Sequence, residues 1–195
     1  LHEPEVQCIS KGKAHKRYEF GQKVSVATTN RSNWFVASLL CENNPYDGHT
    51  LTETLEAVAR VTGVAVTDAY VDKGYRGHGH LGETAVHIAG QRTKNTPRSE
   101  RKRRRRRSAI EPKIGHLKSD HRMGRCFLAR LDGDAINAVL SAAGSNLRKL
   151  LGLLRCNGRG LRCALIELLT RLRLQLICRI RHVFRSSGVV FVPVC

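Results

Sequence analysis

The first half of this chain alternates between strand-like and helix-like spacing of its apolar residues, and this order limits the folds open to it. Residues 18–27 alternate apolar with polar side chains, and residues 34–40 are a short apolar run, so the two segments predict a β-hairpin. Apolar residues at helical spacing predict an amphipathic helix over residues 51–59. Residues 64–71 and 85–89 are short apolar runs that predict two further strands. This order predicts an α/β fold, in which helices cover a mixed sheet.

The second half is basic and mostly helical in its spacing. Residues 91–108 predict a basic connector, and helical spacing returns at Ser108 and again in residues 134–155. Residues 161–184 place leucines on one face and arginines on the others, so this face either packs into a core or lies on a membrane surface. Residues 188–195 are apolar, and the sequence identifies no partner for them.

Charge is distributed unevenly along the chain, whose formal net charge is +18. Residues 1–91 hold 9 Lys and Arg against 10 Asp and Glu, whereas residues 92–195 hold 25 against 6. The strong excess of positive charge in residues 92–195 predicts one strongly basic face or arm. Binding to a polyanion such as nucleic acid explains this pattern better than solubility alone does.

The cysteines argue against two common classes of small protein. They number seven, and none lie in a CxxC pair: Cys8, Cys41, Cys126, Cys156, Cys163, Cys178 and Cys195. An odd number without such pairs argues against a zinc ribbon and against a secreted disulfide framework, and it favours the reducing cytoplasm. No apolar signal region begins the chain, and arginines interrupt the apolar C-terminal segment too often for it to span a bilayer.

One candidate site residue is the acid that follows the buried-strand pattern of residues 64–71. Asp72 stands at its end, and a glycine-rich loop follows. A carboxylate in this place can lie at the carboxyl edge of a sheet, where open α/β folds bind their ligands. Because Asp and Gly also favour turns, a purely turn-forming Asp72 is the alternative.

Two patterns of the S/T-x-x-E type predict helix capping boxes. One pairs Thr50 with Glu53 and the other pairs Ser108 with Glu111. Helix capping alone would explain the presence of Glu111 in the second pattern.

Glu111 nevertheless shares a helical face with residues that suggest another role. Gly115, Lys118 and Arg122 follow it at i+4, i+7 and i+11. An acid, a residue without a side chain and two cations predict a face open to phosphate.

A third group of candidates lies in the loop after Asp72 and in the basic connector. Residues 101–107 are an unbroken basic block, which is either a mobile arm or a contact for the nucleic-acid backbone. His78 and His80 have the i, i+2 spacing of a metal-ligating pair, but no third ligand has suitable spacing.

Three motifs occur in an order that is quite specific. They are Asn44-Pro45-Tyr46-Asp47-Gly48-His49, Asp72-Lys73-Gly74-Tyr75-Arg76-Gly77 and Arg107-x3-Glu111-x6-Lys118. Together they resemble bacterial insertion-sequence transposases of the DDE type, whose hallmark near the third acid is Tyr-x2-Arg-x3-Glu-x6-Lys. This chain keeps the Arg, the Glu and the Lys of that hallmark, and Arg104 replaces the Tyr. The similarity covers roughly residues 1–155.

The resemblance implies a ribonuclease-H-like fold and a metal-dependent reaction on DNA. In this family, two Asp and one Glu bind two Mg²⁺ or Mn²⁺ ions, which activate water or a DNA 3′-hydroxyl for attack on phosphodiesters. By match, Asp72 is the second acid and Glu111 the third, so both are expected to be catalytic and to ligate metal. The expected DNA contacts are Arg107, Lys118, Arg122, Arg101, Arg103, Lys73 and Arg76.

The first acid of the family normally lies on a strand ahead of the hairpin, and nothing upstream of Tyr18 fits it. The chain begins at Leu1, and Met123 is its only methionine. We therefore expect a C-terminal portion of a transposase that lacks the first strand and the first Asp and is inactive alone. Residues 1–155 would be a partial catalytic core, and residues 156–195 a basic, amphipathic helical tail.

The expected partners follow from the same resemblance. They are the terminal inverted repeats of the element, target DNA and a second copy of the chain, with no membrane; the chain would be cytoplasmic and associated with the nucleoid. The alternative is a non-enzymatic basic protein that binds nucleic acid and needs only its arginines.

Overall fold

The computed structural model describes residues 6–13, 16–91, 96–156 and 189–194 of the chain. Its strands and helices, in chain order, are β1 (Gln7–Lys13), β2 (Lys16–Gly21), β3 (Lys23–Thr29), β4 (Phe35–Cys41), α1 (Thr50–Thr62), β5 (Asp68–Val71), β6 (Ala85–Ile88), α2 (Arg98–Arg106), α3 (Ile110–Ser119), α4 (Arg130–Cys156) and β7 (Val189–Val194).

Five of these strands form one mixed sheet in the order β4-β3-β7-β5-β6. Strand β3 pairs antiparallel with both β4 and β7, whereas β5 pairs parallel with both β7 and β6. Strands β1 and β2 form a separate antiparallel hairpin. The predicted α/β fold with a mixed sheet is therefore confirmed.

Apolar side chains pack on both faces of the sheet, because neighbouring residues of a strand point to opposite faces. On one face, Ala27 of β3 and Val71 of β5 lie in a buried cluster with Leu51 and Val58 of α1. On the other face, a second buried cluster unites β3 and β5 with α3 and α4: Val24, Val26, Phe35, Tyr70, Ile110, Leu117, Ala138 and Ala142. Three layers result, with the sheet in the middle.

The hairpin predicted over residues 18–40 is present, but its first strand is interrupted. Gly21 ends β2 with a φ of +134°, a conformation that glycine tolerates, and β3 begins at Lys23. Residues 18–20 consequently belong to the separate β1–β2 hairpin, and residues 23–29 belong to the central sheet.

The basic connector and the first capping box differ from the prediction. Residues 98–106 are helical, and Glu100 forms an i, i+4 ion pair of 2.6 Å with Arg104 that favours the helix. At α1 the capping box is absent, since Thr50 lies inside the helix and its hydroxyl donates to the carbonyl of Asp47. A 3₁₀ turn over Asp47–His49 leads directly into α1, so no extended N-cap residue precedes it.

The structure supplies partners for the apolar stretch that the sequence left without one. Residues 189–194 form β7 and pair with both β3 and β5. The sequence could not identify them, because strand pairing depends on residues far apart in the chain. The helix predicted over residues 161–184 lies outside the described residues, whereas α4 confirms the helix predicted over residues 134–155. No helix of the described part of the chain is long and apolar enough to span a bilayer.

Candidate nucleic-acid interface

Asp72 lies where the sequence predicted, directly after a buried strand. Ala69, Tyr70 and Val71 of β5 are buried, and the chain then turns through a 3₁₀ turn over Lys73–Tyr75. The Asp72 carboxylate accepts a hydrogen bond of 2.7 Å from the backbone N–H of Lys73, and 48% of the side chain is exposed. The residue therefore begins a turn, as the alternative held, and also presents a carboxylate at the edge of the sheet.

Glu111 lies in the first turn of α3, but it does not take part in a capping box. The Ser108 hydroxyl donates to the carbonyl of Arg105 at 2.8 Å, and Ala109, at the N-cap of α3, makes no side-chain cap. A 3₁₀ turn over Arg107–Ala109 joins α2 to α3, so the backbone before Ile110 is already helical. The Glu111 side chain is 66% exposed, which leaves its carboxylate accessible to a ligand.

A single guanidinium brings the two acids together. Arg107 Nη1 lies 3.6 Å from Asp72 Oδ1, and Arg107 Nη2 lies 3.8 Å from Glu111 Oε1. The Arg107 side chain is only 17% exposed, and its buried Nη1 makes no hydrogen bond within the described residues. Arg107 thus offsets the repulsion between two neighbouring carboxylates.

The described residues fit a metal centre only in part. Among them, no group of three or more His, Cys, Asp and Glu side chains is close enough to hold an ion. The pair His78 and His80 therefore has no third ligand of these types among the described residues. The neighbours of β5 in the sheet are β7 and β6, and neither strand contains an acid. Asp72 and Glu111 are two carboxylates, fewer than a centre of two divalent ions requires.

The arginines of α2 form one wall of a cavity of about 620 Å³. Its lining includes Arg101, Arg104, Arg105 and Arg107 on one side and Tyr70, with residues 87–91, on the sheet side. Arg104 also donates to Glu100 and to the carbonyl of Gln91 at 2.6 Å each. Burial raises the pKa of the Tyr70 hydroxyl, and the nearby Arg103 guanidinium partly offsets this rise. The cavity lining thus contains four arginines and no acid, and one of these arginines, Arg107, also contacts the two acids.

The remaining predicted DNA contacts are spread over three segments. Lys73 and Arg76 are exposed in the loop after Asp72. Lys118, on α3, lies 3.8 Å from Glu19 of the β1–β2 hairpin. The prediction that Arg122 shares the helical face of Glu111 is wrong, because α3 ends at Ser119.

The chain reverses after α3, and this reversal redirects Arg122. The residue has a φ of +59°, and its guanidinium lies 5.6 Å from the ring centroid of Phe127.

The loop before α1 supports the Asp72 loop, a role that residue chemistry alone did not predict. The Tyr46 hydroxyl donates to the carbonyl of Arg76, and the buried Lys23 ammonium pairs with the Asp47 carboxylate. Lys23 also donates to the carbonyl of Pro45 at 2.7 Å. The motif over residues 44–49, one of the three that resemble the transposases, is the sequence feature that corresponds to this support.

Gly74 leaves the space that this support requires, so we expect Gly74→Ala to destabilise the fold. A Cβ at residue 74 would lie 2.5 Å from Asp47 Oδ2, and the carboxylate would have to leave its buried partner Lys23. We expect the free energy of unfolding to fall by about 1–3 kcal/mol. Urea denaturation followed by circular dichroism measures it.

Gly115→Ala is the matched control. A Cβ there meets nothing within 4 Å, and alanine favours the interior of a helix by roughly 1 kcal/mol, so stability should rise. Equal stability of the Gly74→Ala variant and the unaltered chain would contradict the proposed support of the Asp72 loop.

Two neighbouring carboxylates beside an arginine-lined wall are features of proteins that process nucleic-acid backbones. The family model described as transposase DDE domain matches residues 3–147, and the chain belongs to this family. DNA transposition is therefore its function at the level of the family, whose members typically use divalent metal ions. No curated protein and no solved structure matches the chain.

Proposed function

We propose that this chain serves DNA transposition by binding the DNA backbone through its basic face and presenting Asp72 and Glu111 to a phosphodiester. The observation that carries the proposal is the shared guanidinium of Arg107. It lies 3.6 Å from the first carboxylate and 3.8 Å from the second, which are far apart in the sequence. The spacing of Arg107, Glu111 and Lys118 is that of the family hallmark.

The sheet supports a ribonuclease-H-like arrangement as part of this proposal. Its central strand, β7, has an antiparallel neighbour on one side and a parallel neighbour on the other. Asp72 follows the parallel neighbour β5, and Glu111 reaches the same edge from α3. Acids from a strand and a helix meet at one edge of the sheet, as a nuclease of this class requires.

Each residue would have a distinct task in such a site. Asp72 and Glu111 would be two of the three acids that hold Mg²⁺ or Mn²⁺, which when bound supply an activated water or 3′-hydroxyl. The guanidinium of Arg107 would donate to a phosphate oxygen, and Lys118 would contact the backbone further along α3. Because the described residues supply only two acids, we propose that the chain does not cleave DNA by itself.

Binding, in contrast, needs only the cations. Arg101 and Arg105 are exposed on α2, and both line the cavity beside the acids. Arg104, which replaces the hallmark tyrosine, lines the same cavity. Contacts of this kind hold phosphates and read no base, so affinity should not depend strongly on sequence.

Neutralising the arginines of α2 tests the binding half of the proposal. With Arg101, Arg103, Arg105 and Arg106 changed to glutamine, we expect weaker binding to every duplex, whatever its sequence. The slope of log K against log salt should flatten by up to about 0.9 for each phosphate that the variant no longer neutralises. Fluorescence anisotropy of labelled duplexes over a series of salt concentrations measures both quantities.

Arg60→Gln is the matched control, because Arg60 is an exposed cation on α1, the helix that covers the opposite face of the sheet. It should leave the slope unchanged. An unchanged slope in the four-arginine variant as well would show that α2 does not contact DNA.

A non-enzymatic nucleic-acid-binding protein is the second candidate, and the incomplete set of acids in the described residues favours it. It would require the arginines and not the carboxylates. From the family resemblance we also propose that the chain forms a homodimer. Its specific DNA would be the ends of the element.

A further inference from the structure

The β1–β2 hairpin has two faces of different character. On the inner face Ile9 is buried, and its cross-strand partner Glu19 lies 3.8 Å from Lys118 of α3. On the outer face the pairs Cys8–Phe20 and Ser10–Tyr18 are all exposed. The hairpin is thus fixed to the body by one face and presents the other to solvent.

Two aromatic side chains dominate the outer face. Tyr18 is 57% exposed and Phe20 is 75% exposed, although burying such side chains ordinarily favours folding. They stand two residues apart on one strand, so their Cα atoms are separated by roughly 6.6–6.8 Å. Since stacked bases are spaced by about 3.4 Å, this interval leaves room for one base between the two rings.

The charge of the hairpin indicates which partner fits this face. Its two strands contain four cationic residues, Lys11, Lys13, Lys16 and Arg17. The single acid in residues 7–21 is Glu19, which pairs with Lys118 on the inner face. A hairpin with exposed aromatic rings and an excess of cationic residues fits a single strand of nucleic acid, because its bases stack and its phosphates are anionic.

The position of the hairpin points to the same ligand. Lys118 lies on α3, the helix whose first turn holds Glu111. Lys118 is about 10.5 Å from Glu111 along the helix axis, so the contact between Glu19 and Lys118 holds the hairpin about two helical turns from the acidic site.

We propose that the outer face of the β1–β2 hairpin binds an unpaired nucleic-acid strand near the acidic site, by stacking its bases on Tyr18 and Phe20. This inference rests on the proposed function, because it names the form of DNA that this site receives: a strand locally separated from its complement. Duplex binding through α2 and single-strand binding through the hairpin are then two separable activities of one chain.

The test compares a labelled oligothymidylate with a labelled duplex of the same length, by fluorescence anisotropy at one salt concentration. With Tyr18→Ala and Phe20→Ala combined, we expect affinity for the single strand to fall roughly 5-fold or more for each ring removed. Affinity for the duplex should stay within about 2-fold, because the phosphate contacts of α2 remain. With Tyr18→Trp and Phe20→Trp combined, single-strand binding should be retained.

Val61→Ala is the control for the loss of an exposed apolar side chain, since Val61 lies on α1. Thermal unfolding of all variants guards against misfolding.

An equal fall in affinity for single strand and duplex, or no change for either, would overturn the hairpin proposal and leave duplex binding intact. A chain that binds neither ligand would instead contradict the proposed function, and the hairpin proposal with it. Loss of self-association in the double alanine variant, with single-strand binding unchanged, would show that a second copy is the partner.

Discussion

The 195-residue chain is expected to leave supercoiled plasmid DNA uncut in buffer with Mg²⁺ or Mn²⁺. A reaction with two metal ions needs ligands that hold both ions, and the described residues bring together only Asp72 and Glu111. Adding an upstream strand that ends in an aspartate should restore metal-dependent nicking at the ends of the element. In that extended protein, Asp72→Ala and Glu111→Ala should each reduce nicking to the background level. Gel electrophoresis of nicked and supercoiled plasmid measures the outcome.

Glu56→Ala is the control for this experiment, because Glu56 is an exposed acid on α1, away from the pair at Arg107. It should not affect nicking. Robust nicking by the 195-residue chain, or nicking that survives Glu111→Ala in the extended protein, would show that the acids have been misassigned.

Val190→Pro is expected to disrupt the central sheet. Residue 190 pairs with Thr28 of β3 and with Tyr70 of β5, so its N–H faces a neighbouring strand whichever way it points. Proline has no N–H, so in the interior of a sheet it removes a ladder hydrogen bond. The buried carbonyl left without a donor costs about 1–3 kcal/mol. Without β7, the pair β3–β4 and the pair β5–β6 have no strand between them. Urea denaturation should show a lower midpoint and a loss of cooperativity.

Val190→Ile is the matched control, because it retains a β-branched side chain and the N–H. An unfolding curve of the proline variant that coincides with that of the control would mean that residues 189–194 do not occupy the centre of the sheet in solution.

The sequence predicted those parts of the fold and site that depend on local pattern. Apolar runs predicted β5 and β6, helical spacing predicted α4, and the end of a strand pattern predicted the position of Asp72. These signals suffice because side-chain periodicity directly reflects which face of an element is buried. The approach of Asp72 to Glu111 was expected only through the family motif, since nothing local links residues so distant.

The errors arose where a neighbouring element overrode the local rule. For the arginine block the sequence left open a mobile arm or a contact for the nucleic-acid backbone, and it did not predict a helix. Glu100 and Asp68 supply counter-charges to Arg104 and Arg103, and α2 forms. The capping patterns at Thr50 and Ser108 failed because a 3₁₀ turn precedes each helix. Arg122 left its predicted helical face because α3 ends sooner than the periodicity suggested.

The place of β7 in the sheet affects how the nascent chain folds on the ribosome. Strands β3, β4, β5 and β6 are all synthesised before β7, which lies between β3 and β5 and pairs Val24 with Val194. Until residues 189–194 leave the exit tunnel, the inner edges of β3 and β5 carry unpaired backbone groups, which are the kind of edge that recruits other chains. Pairing between residues so distant is also slow. The sheet therefore has an open seam between β3 and β5 until residues 189–194 have been synthesised and have left the tunnel.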